Sequence, residues 1–321
     1  MEYKGIPGTD LHVAEICLGT GGLGGDIDRE SSFRLLDRYV ELGGNFLDSA
    51  KVYADWLPGE RSSSEKTIGR WLAERRNRGK IILGTKGAHP DLAAMHIQRL
   101  SSQEIVSDLE SSLASLNVEA IDLYWLHRDD PSRPVAEILE TLNDQVKAGK
   151  IRYFGASNWG TARLEAARDY AAVHGLQGFS ASQVMWNYGV PDPAAIPDKT
   201  IVVMNPEMRA YHARTGLAAI PYTSQANGFF SKLAKGGPEG LREGMRQVYH
   251  LPENARRFER LQSLRKETGH SVTQVVLGYL LSQPFATVPI VGCQNLAQVD
   301  DSLSAAGVRF SPLQLAFLEG G

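Results

Sequence analysis

Short apolar runs rich in β-forming residues alternate along this chain with longer segments whose apolar positions recur every three or four residues. The runs Ile16–Leu18, Phe46–Leu47, Ile81–Gly84, Ile121–Trp125, Tyr153–Gly155, Ala181–Val184, Ala218–Pro221 and Thr287–Val291 predict eight strands. Between them, Ser32–Leu42 places Phe33, Leu36, Tyr39 and Val40 on one helical face, and Glu65–Arg75 does the same with Ile68, Trp71 and Leu72. Gln103–Leu116 repeats Ile105, Leu109, Leu113 and Leu116 at helical spacing. Further helices are expected at Val135–Ala148, Thr161–His174, Asn205–His212, Asn254–Glu267 and Pro312–Glu319. Gly149, Gly175 and Gly269 stand where helix C-caps belong. Asn227–Leu251 is expected as a long loop and a candidate lid.

Eight strands alternating with helices, at roughly 30–40 residues per unit, predict an α/β fold: a single (β/α)8 TIM barrel over residues 1–321. An open doubly wound sheet needs a dinucleotide fingerprint behind its first strand. The run Gly19-Thr20-Gly21-Gly22-Leu23-Gly24-Gly25 is rich in glycine, but no helix opens directly after it and no acidic residue closes the next strand as required. The barrel is the better reading.

Composition narrows the partners. With 42% hydrophobic residues among 321, the chain can build a core without disulfides or metal staples. Lys and Arg number 34 against 37 Asp and Glu, a net charge of -3 with no basic patch, which argues against nucleic-acid binding by phosphate neutralisation. Cys17 and Cys293 fit no metal or disulfide spacing and read as buried thiols in a reducing compartment. Met1–Asp10 lacks a signal-peptide pattern, and the apolar run Val275–Leu281 is far too short to span a bilayer. A cytoplasmic protein acting on a small molecule, with no membrane partner, is the expectation.

Barrel enzymes work at the C-terminal ends of their strands. Asp48 and Tyr53 follow the second strand, Lys86 the third and His127 the fourth; Ser157 and Asn158 follow the fifth, Gln183 lies in the sixth and Tyr222 ends the seventh. Each alone has an ordinary structural role, as a turn former, a solvated charge or a satisfied core residue. Their convergence on one mouth favours chemistry. A phenol titrates near 10, and bringing it toward 7 takes roughly 4 kcal/mol. One charge about 4 Å away supplies about that much at an effective dielectric near 20. Lys86 can be that cation, Asp48 can hold it, and a neutral His127 can donate a hydrogen bond to an oxygen gaining negative charge. Such a site suits carbonyl reduction, with hydride from a cofactor and a proton from Tyr53.

Several segments carry a resemblance. They are Ile16-Cys17-Leu18-Gly19-Thr20, Asn45-Phe46-Leu47-Asp48-Ser49-Ala50-Lys51-Val52-Tyr53, Leu83-Gly84-Thr85-Lys86 and Ile121-Asp122-Leu123-Tyr124-Trp125-Leu126-His127. Gly149-Lys150-Ile151-Arg152-Tyr153-Phe154-Gly155-Ala156-Ser157-Asn158 and Pro289-Ile290-Val291-Gly292 continue the series. In this order the chain resembles the aldo-keto reductase superfamily over essentially its whole length, closest to bacterial-type members with a short C-terminus. The resemblance implies NADP(H) or NAD(H) bound without a Rossmann domain, and carbonyl–alcohol interconversion. It implies a catalytic tetrad of Asp48, Tyr53, Lys86 and His127, with Tyr53 as general acid/base. It also assigns Ser157, Asn158 and Gln183 to the nicotinamide carboxamide, Tyr222 to stacking on its ring, and Thr223 and Gln225 to the pyrophosphate and ribose. Gly19 and Thr20 would lie against the cofactor too.

Three departures matter. Where many NADPH-preferring members carry a Lys and then an Arg for the 2′-phosphate, this chain has Gly292 and Gln298, followed by Asp301 and Ser302. A 2′-phosphate would lose charge-assisted bonds worth roughly 1.5–3 kcal/mol each. NADP(H) is nevertheless expected ahead of NAD(H), since some branches with Gln here use it. The segment Ala54–Ser64 lengthens the turn before Ser64-Glu65-Lys66-Thr67-Ile68-Gly69, and the sequence stops at Gly321 without a long C-terminal substrate loop. An open pocket for sugars, polyols or small carbonyls follows, rimmed by Trp56, Arg128, Asp129, Trp159 and Trp186. No metal site is expected, because the eight histidines form neither a His-x-His pair nor a His-Glu-x-x-His helix. The alternative function is a cofactor-binding, redox-sensing regulatory subunit with little turnover, since one family branch plays that part.

Overall fold

A computed structural model describes every residue from Met1 to Gly321. Its first element is an antiparallel hairpin, β1 (Tyr3–Gly5) and β2 (His12–Ala14), which the hydropathy pattern does not announce. Eight parallel strands follow: β3 (Cys17–Gly19), β4 (Phe46–Asp48), β5 (Ile82–Gly87), β6 (Ile121–Leu126), β7 (Ile151–Ser157), β8 (Ala181–Gln183), β9 (Ala218–Ala219) and β10 (Ile290–Gly292). They run in the order β10-β3-β4-β5-β6-β7-β8-β9. The ring closes just below β10, where Thr287 bridges to Ala219 and Ile290 N–H donates to Pro221 O at 2.9 Å. The (β/α)8 barrel is therefore the observed architecture, and all eight expected strand positions are occupied.

The helices are α1 (Arg29–Glu41), α2 (Ser63–Arg75), α3 (Ser102–Leu116), α4 (Val135–Lys147), α5 (Thr161–His174), α6 (Pro206–Thr215), α7 (Phe229–Gly236), α8 (Glu243–Tyr249), α9 (Pro252–Thr268), α10 (Val272–Leu281), α11 (Leu296–Leu303) and α12 (Pro312–Glu319). Gly175 and Gly269 are left-handed C-caps, as expected. The segment Asn227–Leu251 differs from the expected loop: it holds α7 and α8. These helices are short, and their apolar residues cluster at Phe229–Phe230 and at Met245 and Tyr249, too few to set up a visible period. Helix α10 hides for the opposite reason. Eight of its ten residues are buried, so no polar face marks its period, and its start is recognisable from the capping box of Ser271 and Gln274. No helix is long and apolar enough to cross a membrane.

Two layers of core result. Between strands and helices lies a large apolar shell that includes Trp71, Leu109, Leu139 and Leu277. Inside the barrel a smaller cluster joins Phe46, Leu123, Trp125, Ala181 and Ile290 to Ile6, Leu11 and Val13, so the N-terminal hairpin plugs the bottom. Gly155 makes room for the central indole, because a Cβ there would sit 2.4 Å from the Trp125 ring. Alternate strand residues share a face. Two positions above the plugged layer, Asp48, Lys86, His127 and Gln183 therefore point into the same top layer as one another.

The Ser64-Glu65 pair at the start of α2 anchors this layer from outside. The Ser64 hydroxyl donates to Thr20 O at 2.8 Å and lies 2.9 Å from the Ser49 hydroxyl, joining α2 to the ends of β3 and β4. Glu65 accepts from the Thr85 hydroxyl at 2.7 Å, while its second oxygen is buried without a partner. Burial raises its carboxyl from the ordinary 4.5 to about 7, against the opposing hydrogen bonds. The folded state thus binds a proton more tightly than the unfolded chain. Stability falls as pH rises from about 4.5 through about 7, by about 3 kcal/mol in total. Glu65→Gln should remove that fall. We expect the variant to match the wild type in urea midpoint near pH 4.5 and to exceed it at pH 8; equal midpoints at pH 8 would contradict a buried ionising carboxyl.

Candidate active site

The top of the barrel opens into a cavity of about 1440 Å3. At its floor, Lys86 is only 1% exposed, and its ammonium spends all three donors on neighbours. It bonds Asp48 Oδ2 at 2.5 Å, Ser49 O at 2.8 Å and Tyr53 Oη at 3.0 Å. The other Asp48 oxygen accepts from Gln183 Nε2 at 3.1 Å. Burial works to lower the pKa of Lys86, but the Asp48 carboxylate and the Tyr53 hydroxyl outweigh it, and the ammonium is held charged. Burial likewise pulls the Asp48 carboxyl upward against the contacts from Lys86 and Gln183. This is a closed ion pair whose remaining hydrogen-bonding capacity is directed at Tyr53.

Tyr53 stands in the turn after β4, half-buried, with its ring edge-on to His127 at 6.1 Å between centroids. His127 follows β6 directly and is 7% exposed. Burial drives its pKa well below the ordinary value, and Arg128, His89 and Lys86 push the same way, so the ring is neutral. The structure thus brings the four sequence-predicted tetrad residues together: Tyr53 and His127 line the cavity, while Asp48 and Lys86 lie directly beneath.

The expected cofactor residues divide similarly. Gly19, Thr20, Asn158, Gln183, Tyr222, Thr223, Gln225, Gly292, Gln298 and Asp301 line the cavity, and Ser157 sits behind them, accepting from Asn158 Nδ2 at 3.1 Å. Asn158 is fully engaged. Its amide also donates to His127 O at 3.2 Å, and its oxygen accepts from Val202 N at 3.1 Å and from the Tyr222 hydroxyl at 2.7 Å. Gln183 donates to Asp48, and its side-chain oxygen is left free at the cavity. Toward β10 the wall is acidic or neutral: Asp301 accepts from the Thr273 hydroxyl at 2.6 Å, and Gln298 from Gln294 N at 2.7 Å.

Of the five expected substrate residues, Trp56 and Arg128 face the cavity. Trp56 is 52% exposed and edge-on to Tyr53. Arg128 is already occupied, bonding Thr200 Oγ1 at 2.6 Å, Asp198 Oδ2 at 2.8 Å and His127 O at 2.8 Å. The other three are placed elsewhere. Asp129 holds Arg163 through paired hydrogen bonds, Trp159 is fully buried against Phe179, and Trp186 packs between Phe285 and Tyr279. Each lies past the end of its strand, where ion pairing and aromatic packing rather than alternation set its direction.

Sequence reasoning missed a cationic wall. Lys232 and Lys235, one turn apart on α7, and Arg242 before α8 line the cavity. Their spacing on one helical face was the available signal, lost once the segment was read as loop. An apolar rim was missed too: Met185, Ile196, Pro197, Ile201, Met245 and Val248.

A sequence profile of the Aldo/keto reductase family matches residues 15–320. The chain belongs to the aldo/keto reductase family. Among similar proteins is norsolorinic acid reductase stcV of Emericella nidulans, 29% identical over 98% of this chain and 79% of its own length. The uncharacterized oxidoreductase YrpG of Bacillus subtilis is 29% identical over 96% of this chain and 92% of its own. An aryl-alcohol dehydrogenase (NADP+) of Phanerodontia chrysosporium is 28% identical over 97% and 83%. This aldo-keto reductase is an NAD(P)H-dependent oxidoreductase that interconverts carbonyls and alcohols.

The buried pair sets a stability test for this reductase. Asp48→Asn keeps the shape but leaves the Lys86 ammonium buried without its counter-charge, which should cost about 3–5 kcal/mol in urea unfolding at pH 7. A variant as stable as the wild type would show that the pair is not what holds the charge.

Proposed function

We propose that this aldo-keto reductase reduces an aromatic or otherwise largely apolar aldehyde or ketone, with NADP(H) preferred to NAD(H) and Tyr53 as the proton donor. The observation that carries the reading is the three-way contact of Lys86 with Asp48, Ser49 and Tyr53 at the floor of a cavity that also presents neutral His127.

The cavity suits the cofactor by size and by its lining. Its volume exceeds the roughly 300–1,000 Å3 of a drug-sized site, leaving room for a dinucleotide and a substrate together. Glycines at 19, 21, 22, 228 and 292 keep its walls low. When bound, the nicotinamide supplies the hydride. Gln183, tied to Asp48 by one amide hydrogen, offers its free oxygen to the carboxamide, and Tyr222 offers a ring face. Burial raises the pKa of the Tyr222 hydroxyl, so it remains a neutral donor to Asn158. Lys232, Lys235 and Arg242 supply positive charge for the phosphates, which Gly292 and Gln298 do not.

The chain's own residues divide the work on the substrate. His127 donates a hydrogen bond to the carbonyl oxygen and draws off developing charge without giving up a proton. Tyr53 transfers its proton to that oxygen, and Lys86, held charged by Asp48, steadies the phenolate left behind. On alcohol oxidation the same groups act in reverse. Burial of Lys86 and His127 excludes water from these contacts, which makes each charge worth more.

An apolar substrate follows from the rim. Trp56, Met185, Ile196, Pro197, Ile201, Met245 and Val248 face the mouth, while the charge of Arg128 is neutralised by Asp198. This shifts the reading away from the sugars and polyols that the short C-terminus suggested. The aryl-alcohol dehydrogenase named above supports the shift by its name alone, as it does the choice of NADP(H).

Tyr53→Phe should lower kcat for an aryl aldehyde by at least about 10²-fold while leaving the NADPH dissociation constant unchanged; a near-wild-type rate would exclude Tyr53 as the donor. In fluorescence titrations of the wild-type protein, NADPH should bind about tenfold more tightly than NADH. Equal or tighter NADH binding would overturn the cofactor preference. Tight binding with no turnover on any aldehyde, ketone or sugar would favour the regulatory alternative.

A further inference from the structure

One titratable side chain touches the site from behind without lining the cavity. His89 lies three residues beyond Lys86, and its ring packs against that of His127 at 4.6 Å between centroids and 64° between planes. The chain is bent to place it there. Ala88 has a left-handed backbone, φ 58°, a conformation that costs a residue with a Cβ about 1 kcal/mol or more. The bend is clamped on both sides: Ala88 N–H donates to Asp108 Oδ2 at 2.9 Å, and Arg99 donates to His89 O at 3.1 Å. Asp108 is itself held by Arg99 and by Lys51 at 3.1 Å. Strain sustained by a network centred on the buried Asp108 carboxylate is an unusual outlay for a residue that only fills space.

The chemistry of the two rings explains what it does. His89 Nδ1 lies 2.6 Å from Pro90 O, a carbonyl that can only accept, so Nδ1 carries a proton; burial and the nearby Arg128 cation lower the ring's pKa and disfavour a second one. In His127, Nδ1 is buried and has no hydrogen-bond partner, whereas the ring as a whole lines the cavity. A proton on that Nδ1 would be an orphan donor in a dry site. The cheaper tautomer carries it on Nε2.

We propose that His89 is a positioning residue for this reductase: packed against His127, it keeps water from the ring's buried side and so holds the proton of neutral His127 on Nε2, where a substrate oxygen can use it. The inference rests on the reading of His127 as hydrogen-bond donor to the carbonyl. The groups that face His127 are Lys86 below it, Tyr53 from the turn after β4, Arg128 next in the chain and His89 behind it. Lys86 and Arg128 are cations that oppose an imidazolium, and neither selects between the neutral tautomers. Tyr53 meets the ring from the cavity, so His89, packed closer and outside the cavity lining, is the uncharged neighbour left to exclude water.

The test is long-range 15N–1H correlation of the histidine rings in the full-length protein, read beside kinetics. In the wild type, His127 should show the neutral Nε2–H pattern; a proton on Nδ1 would overturn the proposal without any variant. His89→Ala opens the packed side to water, and the His127 signals should become those of a tautomer mixture. Its kcat for an aryl aldehyde should fall about tenfold with the NADPH dissociation constant unchanged, and His89→Phe, which keeps the ring contact, should restore both. Unchanged His127 signals in His89→Ala, or altered signals with unchanged kcat, would overturn the positioning role. A fully active His127→Ala enzyme would instead sink the reading of His127 itself.

Discussion

The buried ammonium of Lys86 is the constraint around which the upper barrel is organised. An unpaired charge at 1% exposure would be intolerable by several kcal/mol, so each of its three hydrogens must find an acceptor of fixed position. Asp48, Ser49 and Tyr53 provide them from β4 and the turn that follows it, across from β5. Solving the burial problem therefore places a phenol against a cation at the mouth of a barrel. The contacts that satisfy the buried charge are also the ones that order Tyr53 at the cavity.

From that pair the order spreads outward through hydrogen bonds. Gln183 reaches Asp48 from β8, and Ser64 ties α2 to the strand ends that carry Thr20 and Ser49. On the far side, Asn158 joins the His127 carbonyl to Val202 and to Tyr222. The cavity floor is thus a rigid polar network on parallel strands. Its walls are contributed by longer connections, the parts of a barrel most free to vary in charge and shape. In this chain they combine three cations on one side with an apolar rim.

Charge control in the site works by exclusion as much as by pairing. Arg128 faces the cavity yet is engaged by Asp198 and Thr200, so its charge is paired and its fork is not free for a ligand. His127 is kept neutral by burial and by its cationic neighbours. The formal charge of -3 over the whole chain says nothing of this. What a substrate meets is set by a few groups within one cavity.

The barrel was legible in the chain because eight apolar runs recur in step with helical faces, and a parallel sheet buried on both sides leaves that pattern intact. The meeting of Asp48, Lys86 and His127 was legible too, since each lies at, next to or just past the C-terminal end of one of three neighbouring strands. Helices α7, α8, α10 and α11 were not: α7, α8 and α11 are only seven or eight residues long, and α10 lacks a polar face. Trp159 and Trp186 looked like rim residues from their neighbours in sequence, but packing turned them into the core. Left to itself, the sequence determined the fold and which polar side chains meet at the barrel mouth, because both follow from local spacing and strand alternation. Only the tertiary structure decided which charges remain free to a ligand, how the Asn227–Leu251 segment walls the cavity and that His89 lies against His127. Those outcomes depend on contacts between residues far apart in the chain, and no local period encodes them.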